Sequence, residues 1–237
     1  MEVVFEAPAL VVRQPDKARQ LFPLQRLSRV VVTGFVEWSM EALLACASEG
    51  IVVVFMDVRG QPVGRWLSGQ VQKQLSLQCI NEWLENPRAF QTYQNWLKAM
   101  QRMAARSAAR KLSLGDWQMA NKVLLEQWAE GNLNENWQNV LKSLEGMVLA
   151  VVLNHLALLG IDSECRIVGD KKLCLADDLM NLLIIDFFPV VGFWQQDYES
   201  PPGYDRMVAL FERRTQRLDN LLKGALLKLH YCLKEFA

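Results

Sequence analysis

The sequence has few of the residues that usually hold zinc or form a disulfide framework. Its five cysteines (46, 79, 165, 174 and 232) are odd in number, and no pair has CxxC spacing. The two histidines, His155 and His230, lie in apolar helical stretches, where we expect packed or capping side chains rather than metal ligands. We therefore expect neither a zinc centre nor disulfides, and interpret all five cysteines as reduced thiols.

The sequence also lacks a long uninterrupted apolar run and a basic leader at its N-terminus. The longest apolar stretch, 147–161, is interrupted by Asn154 and His155 and is too short to span a bilayer. The first six residues contain no Lys or Arg. We therefore expect a cytoplasmic protein without membrane association, and interpret 147–161 as part of a buried helix.

The sequence has no excess charge of either sign. Its 26 basic and 26 acidic side chains argue against a surface that is covered uniformly in nucleic-acid-binding charge. The distribution is uneven, however, because residues 88–122 hold seven Lys or Arg and a single acidic residue, Asp116. This asymmetry indicates one specific basic face.

The apolar pattern divides the chain into a strand-rich first part and a helical second part. Apolar runs bounded by Gly and Pro predict strands at 2–6, 9–13, 29–33, 51–55 and 63–66. Three- and four-residue spacing predicts helices at 90–112, 117–130, 136–159, 175–185 and 205–234, with a loop at 194–204. We predict an α+β fold, with a small N-terminal β-rich domain at 1–72 and a larger all-helical C-terminal domain at 73–237.

Residues 27–66 contain the most informative order of motifs. The strand at 29–33 is followed by a short helix that Ser39 caps, with Glu41 in its first turn. The next strand, 51–55, has five consecutive apolar residues, which suits a strand covered on both faces. It ends at Asp57, before a glycine-containing turn.

This order resembles the N-terminal domain of the integrase–endonuclease subunit of the CRISPR spacer-acquisition machinery. The matching residues are Leu27, Gly34, Ser39, Ala42, Leu43, Gly50, Ile51, Phe55, Asp57, Gly60 and Gly64. A second, looser match runs through 137–162, so the resemblance extends over most of the chain. It implies a DNA-binding protein of antiviral defence that forms homodimers through residues 1–72. It also implies duplex or branched DNA and the small second subunit of the spacer-acquisition complex as partners.

The resemblance further implies a magnesium or manganese site, most of whose ligands are missing here. Val168 stands where the family has a histidine, Asn181 where it has a second acidic residue, and Met119 or Ala120 where it has a glutamate. Asp178 is the remaining ligand. Valine cannot bind a metal ion and asparagine offers only a neutral carbonyl oxygen. We therefore expect no cofactor and a catalytically inactive or impaired protein. Asp178 is either a vestigial metal ligand or a carboxylate that the dipole favours at a helix N-terminus.

Four cations on one predicted helix form the candidate nucleic-acid-binding site, here called the basic stripe: Lys98, Arg102, Arg106 and Arg110. They recur every four residues, so each is turned by about 40° from the last, and they span about 18 Å of helix. Repeated cations of this kind can follow a phosphate backbone. An ordinary solvated helix face usually mixes charges of both signs. A second cluster, of Arg206, Arg213, Arg214 and Arg217, is mixed with acidic residues and carries less weight.

Three functions stay open at this point. The chain is a non-catalytic integrase homologue that binds DNA or pairs with integration partners, or an interaction module that keeps only the family's dimer and partner surfaces. The third alternative is an active metal-dependent nuclease with relocated ligands, in which Glu145, Asp178 and either Asp162 or Asp170 converge. Three carboxylates around one point would favour the nuclease.

Overall fold

The computed structural model of the chain describes residues 1–15, 17–27, 29–58, 60, 62–67, 79–168 and 170–236. Strands dominate its first part. The elements there are β1 (Glu2–Glu6), β2 (Ala9–Arg13), β3 (Gln20–Pro23), β4 (Arg29–Thr33), β5 (Glu37–Trp38), α1 (Met40–Ser48), β6 (Val52–Met56) and β7 (Pro62–Trp66). The five predicted strands are confirmed to within one residue. The prediction missed β3, whose residues are all exposed, and β5, which has two residues.

The strands form two sheets. β1 pairs antiparallel with β2 and parallel with β5, and β3 covers the other edge of β2. In the second sheet β6 lies between β4, which is parallel to it, and β7, which is antiparallel. Along this central strand Val53 faces a small core that includes Ala42 of α1, whereas Val52 and Val54 face the helical region. The predicted burial of this strand on both faces is confirmed.

The local signals around α1 are also confirmed. The Ser39 side chain accepts a hydrogen bond from the Ala42 backbone N–H at 3.1 Å, and Glu41 lies in the first turn. Gly34, Gly50 and Gly60 have φ angles of 75°, 73° and 78°. Side chains with a Cβ rarely adopt this region, which explains glycine at these turns.

Helices dominate the second part. They are α2 (Cys79–Glu85), α3 (Pro87–Lys111), α4 (Lys122–Asn132), α5 (Glu135–Leu159), α6 (Leu175–Leu183), α7 (Phe188–Asp197) and α8 (Tyr204–Leu233). α5 is the central helix, because α6, α7 and α8 pack against it and it also contacts β4 and β6. By length and composition α5 could cross a membrane, but 67% of its most apolar window is buried inside the protein. Its predicted burial is confirmed.

The helical prediction needs three corrections, although the α+β class is confirmed. A hairpin of β8 (Arg166–Val168) and β9 (Lys171–Leu173) lies between α5 and α6, so this part is not all-helical. Strands of three residues are too short to show a period-two pattern. Residues 194–197 belong to α7 rather than a loop, and a short 3-10 helix (Trp117–Met119) precedes α4. The predicted domain boundary after residue 72 lies outside the described residues.

The hairpin also corrects the expectation for the cysteines. Cys165 and Cys174 flank the two antiparallel strands, which bring them together in a disulfide. The other three cysteines are thiols. The histidines are packed as expected: His155 Nδ1 lies 3.8 Å from Asp219 Oδ1, and the His230 ring lies 5.1 Å from that of Trp83.

The turn after β6 packs against α5 with no room for a side chain. A Cβ at Gly60 would lie 2.9 Å from the Ser143 Cα atom and 2.8 Å from its Oγ. One turn along α5, a Cβ at Gly146 would collide with the Met56 side chain and lie 3.1 Å from the Gly60 carbonyl oxygen. These two glycines therefore set how closely the second sheet lies on the helix that carries Glu145.

Candidate nucleic-acid interface and metal-site positions

α3 presents the basic stripe to solvent. All four side chains of the stripe are exposed, as the sequence predicts. The buried residues of the same helix are Ala89, Phe90, Tyr93, Trp96, Ala105, Ala108 and Ala109. The helix therefore has an apolar side in the core and a cationic side in water.

The stripe is largely without counter-charges. Lys98, Arg102 and Arg106 form no ion pair with any residue that the structure describes. The Arg110 guanidinium lies 5.8 Å from the Trp117 ring centroid, so one face of it is covered by an aromatic ring. Lys111, by contrast, pairs with Asp186 at 3.3 Å. The stripe can thus offer its charge to an external polyanion.

The second arginine cluster is partly engaged inside the fold. Arg214 and Arg217 pair with Asp186 at 2.6 and 2.8 Å, and the Asp186 side chain is only 10% exposed. Burial alone would raise the pKa of Asp186, but hydrogen bonds from Arg217 and Arg214 outweigh it and lower the pKa to about 2. These two arginines stabilise the packing of α8 and are poorly placed to bind a ligand.

Asp178 lies in the first turn of α6, against α3. The Tyr93 hydroxyl donates a hydrogen bond to Asp178 Oδ2 at 2.6 Å, and Tyr93 is only 1% exposed. Burial raises the pKa of Asp178, although the Tyr93 hydrogen bond opposes this effect. Asp177 is exposed on another side of the helix, as expected for adjacent residues that are about 100° apart. One carboxylate oxygen of Asp178 is therefore already held by a protein donor.

Lys122 binds the next predicted ligand position. Its Nζ donates a hydrogen bond to Asn181 Oδ1 at 2.9 Å and lies 3.1 Å from Glu126 Oε1. Asn181 follows Asp178 by three residues and lies on the same side of α6. Burial raises the pKa of Glu145 on α5, and the positive charge of Lys122 opposes this effect. Helices α4, α5 and α6 thus bring acidic and amide groups around one ammonium group.

The remaining predicted ligands do not complete a metal site. Val168 is 7% exposed and has no donor atom. Within the described residues, one group of three potential ligands has its atoms within 4.8 Å of one another, and it consists of Cys165, Cys174 and Asp177. Its sulfur atoms are joined in the disulfide. The relocated-ligand alternative placed Glu145 and Asp178 together with either Asp162 or Asp170, and the structure does not group them.

This donor set fits a divalent metal ion poorly. Magnesium needs several oxygen ligands in near-octahedral geometry and gives up its water reluctantly. Here Asp178 is bound by Tyr93, Asn181 is bound by Lys122, and the ammonium group would repel an incoming cation. Sequence reasoning missed both partners because Tyr93 and Lys122 are 85 and 59 residues from the groups that they bind. The sequence offered one signal for Lys122. It lies two residues after Ala120, one of the two candidate positions for the family's glutamate.

Comparisons with known proteins agree with this architecture. Among solved structures, Cas1 protein TM1797 of Thermotoga maritima superposes with a TM-score of 0.68 at 15% identity, covering 98% of this chain and 94% of that one. The TtCas1–DNA complex gives 0.59 at 13% identity, with coverages of 98% and 89%. A chain of the Cas6-RT-Cas1–Cas2 complex gives 0.56 at 15% identity, covering 97% of this chain and 34% of that one.

Sequence comparisons match a smaller part of the chain than the structural ones do. A search of curated proteins yields no significant match. The family model for CRISPR associated protein Cas1, however, matches residues 2–151, which is more than half of the chain. The match includes the glycine turns, the Ser39-capped helix, the basic stripe and most of α5. The chain therefore belongs to the Cas1 family of CRISPR-associated integrases.

Proposed function

We propose that this Cas1-family chain holds DNA during spacer acquisition, and does not itself cut or join it. One contrast carries the proposal. The basic stripe is exposed and largely unpaired, whereas the positions of the family's metal ligands are occupied by side chains that bind metal poorly or are bound by other residues. The chain thus keeps a surface suited to phosphates, while the described residues around Asp178 do not supply the set of metal donors that phosphodiester chemistry requires.

Duplex or branched DNA is the ligand that best suits the stripe. Its four cations extend over about 18 Å of helix, a length that corresponds to about five phosphates of one strand. Cations that contact phosphates set position and affinity without reading bases, so the binding is independent of sequence. The similarity to TtCas1 in its complex with DNA supports this choice.

A homodimer formed through the first part of the chain is the second element of the proposal. Several large apolar side chains there are more than half exposed: Leu21, Phe35, Met40, Leu44, Val58 and Val63. A contiguous exposed apolar patch is typical of a protein interface, and these side chains are the ones that would form it. The fold shared with the Cas6-RT-Cas1–Cas2 complex supports a small Cas2-type subunit as a further partner.

Light scattering tests the dimer. We expect twice the chain mass at micromolar concentration, and a monomeric mass for Phe35→Asp, since Phe35 is fully exposed in the single chain. Leu227→Asp is the matched control, because Leu227 is an exposed apolar residue of α8, far along the chain from the proposed interface. A monomeric wild-type protein would contradict this part of the proposal.

The salt dependence of DNA affinity tests the stripe. Each phosphate contact adds about 0.9 to the slope of log affinity against log salt concentration, so the Arg102→Ala/Arg106→Ala double variant should flatten the slope by about two. The control is Arg213→Ala/Lys223→Ala, which removes two exposed cations from α8 and should leave the slope unchanged. Fluorescence anisotropy with a labelled branched duplex gives both values.

The same measurement distinguishes DNA holding from the alternative of a non-catalytic interaction module. A flattened slope in the stripe variant alone supports DNA holding. If the slope does not change, the stripe is only solvated, and a non-catalytic interaction module becomes the better account of the exposed apolar surface in the first part of the chain.

A further inference from the structure

Charged and amide groups of three helices interact with Lys122 and are here called the Lys122 cluster: Lys122 and Glu126 of α4, Glu145 of α5, and Asp178 and Asn181 of α6. Two direct contacts define it, from Lys122 Nζ to Asn181 Oδ1 at 2.9 Å and to Glu126 Oε1 at 3.1 Å. The Lys122 side chain is 28% exposed, so most of it lies within the protein.

We propose that the Lys122 ammonium group is a fixed internal cation that takes the place of the divalent metal ion at this position. This inference rests on the proposed loss of catalysis and gives it a physical cause. A chain with a built-in cation among these helices needs no metal ion to balance its half-buried carboxylates, and it excludes one by charge repulsion.

Charge balance supports the proposal. The family resemblance implies a set of ligands with several negative charges around an ion of charge +2. In this chain valine and asparagine have removed a ligand and a charge, and a cation of charge +1 stands beside Asn181 and Glu126. The ammonium group therefore supplies, at this position, positive charge that the metal ion would otherwise supply.

The position of Lys122 within α4 supports it independently. Lys122 is the first residue of the helix, after Asn121, whose side chain accepts a hydrogen bond from the Leu124 backbone N–H. A positive charge at a helix N-terminus is unfavourable, because the backbone N–H groups already make that end positive. The i,i+4 pair with Glu126 offsets part of this cost within α4, whereas the hydrogen bond to Asn181 reaches across to α6 and is not explained by helix stability.

The test is the response of thermal stability to manganese, without DNA. For the wild type we expect a shift in Tm below about 1 °C between 1 mM EDTA and 10 mM MnCl₂. For Lys122→Met we expect a saturable rise of about 3–5 °C, as a Kd near 1 mM would give for a chain of this length. Lys142→Met is the matched control and should behave as the wild type, since Lys142 is an exposed residue of α5 beside the same Glu145.

Two further measurements keep the proposal open to refutation. The manganese response of Lys122→Met should disappear when Asp178→Asn is added, because it depends on this carboxylate. If Lys122→Met does not fold, Lys122→Gln keeps a donor toward Asn181 and should show the same response. A lysine variant without a manganese response would overturn the proposal, and so would a wild type stabilised by manganese. Neither readout involves DNA, so failure of the DNA-holding function would be seen separately.

Discussion

Replacing Gly60 by alanine tests how the second sheet is fixed on α5. The φ angle of 78° alone costs an L-residue about 1–2 kcal/mol. The new Cβ would also lie 2.9 Å from the Ser143 Cα, a backbone atom that no rotamer change can move. Overpacking of this kind costs about 1–3 kcal/mol more. We therefore expect Gly60→Ala to lower the free energy of unfolding by about 2–5 kcal/mol.

Gly50→Ala separates the two contributions. Gly50 has nearly the same φ angle, 73°, but its Cβ would have no neighbour within 4 Å. It should therefore cost only the conformational part, about 1–2 kcal/mol. Urea denaturation followed by the fluorescence of the eight tryptophans gives both free energies. Equal losses for the two variants would refute the close contact between the turn and α5.

Two polar contacts give further predictions, and urea denaturation measures the free energy of unfolding for both. The lowering of the Asp186 pKa from 3.8 to about 2 corresponds to about 2.4 kcal/mol, so Asp186→Asn should lose about this amount at pH 7 while exposed Asp116→Asn loses little. Because the native pKa of Asp186 is depressed, this stability is present above pH 4 and disappears as the pH falls towards 2. If wild type and Asp186→Asn differ in free energy of unfolding by the same amount across that range, the arginine pairing is contradicted. Tyr93→Phe removes the donor to Asp178 and should cost about 1–2 kcal/mol. That cost should be smaller at pH 4 than at pH 8, because protonation removes the charge that the hydroxyl stabilises; no cost at either pH would refute the contact.

Most of the fold could be predicted from local signals. The predicted bounds of β1, β2 and β4 are those of the structure, because valine-rich runs between Gly and Pro are unambiguous over five residues. The N-cap at Ser39 was also visible in the sequence. The hairpin of β8 and β9 was not, since its strands have three residues each and depend on pairing with each other.

In the candidate sites, too, features within one helix could be predicted and contacts between distant elements could not. The basic stripe could be predicted because its residues share one helix, and a periodicity of four residues places them on one face. The engagement of Asp178 by Tyr93 could not be predicted, because the contact joins α3 to α6. Lys122 stands two residues after Ala120, but only the folded chain shows that its side chain binds Asn181 of α6. The disulfide likewise follows from the hairpin and not from cysteine spacing.

The central claim, DNA holding without catalysis, is tested most directly by one single-turnover measurement. Protein in excess is mixed with a labelled branched duplex at low salt and 10 mM MnCl₂ or MgCl₂, and samples are analysed on native and denaturing gels in parallel. The account predicts a shifted complex on the native gel, with every strand intact on the denaturing gel. Metal-dependent cleavage or joining of strands that is lost in Asp178→Asn would contradict it.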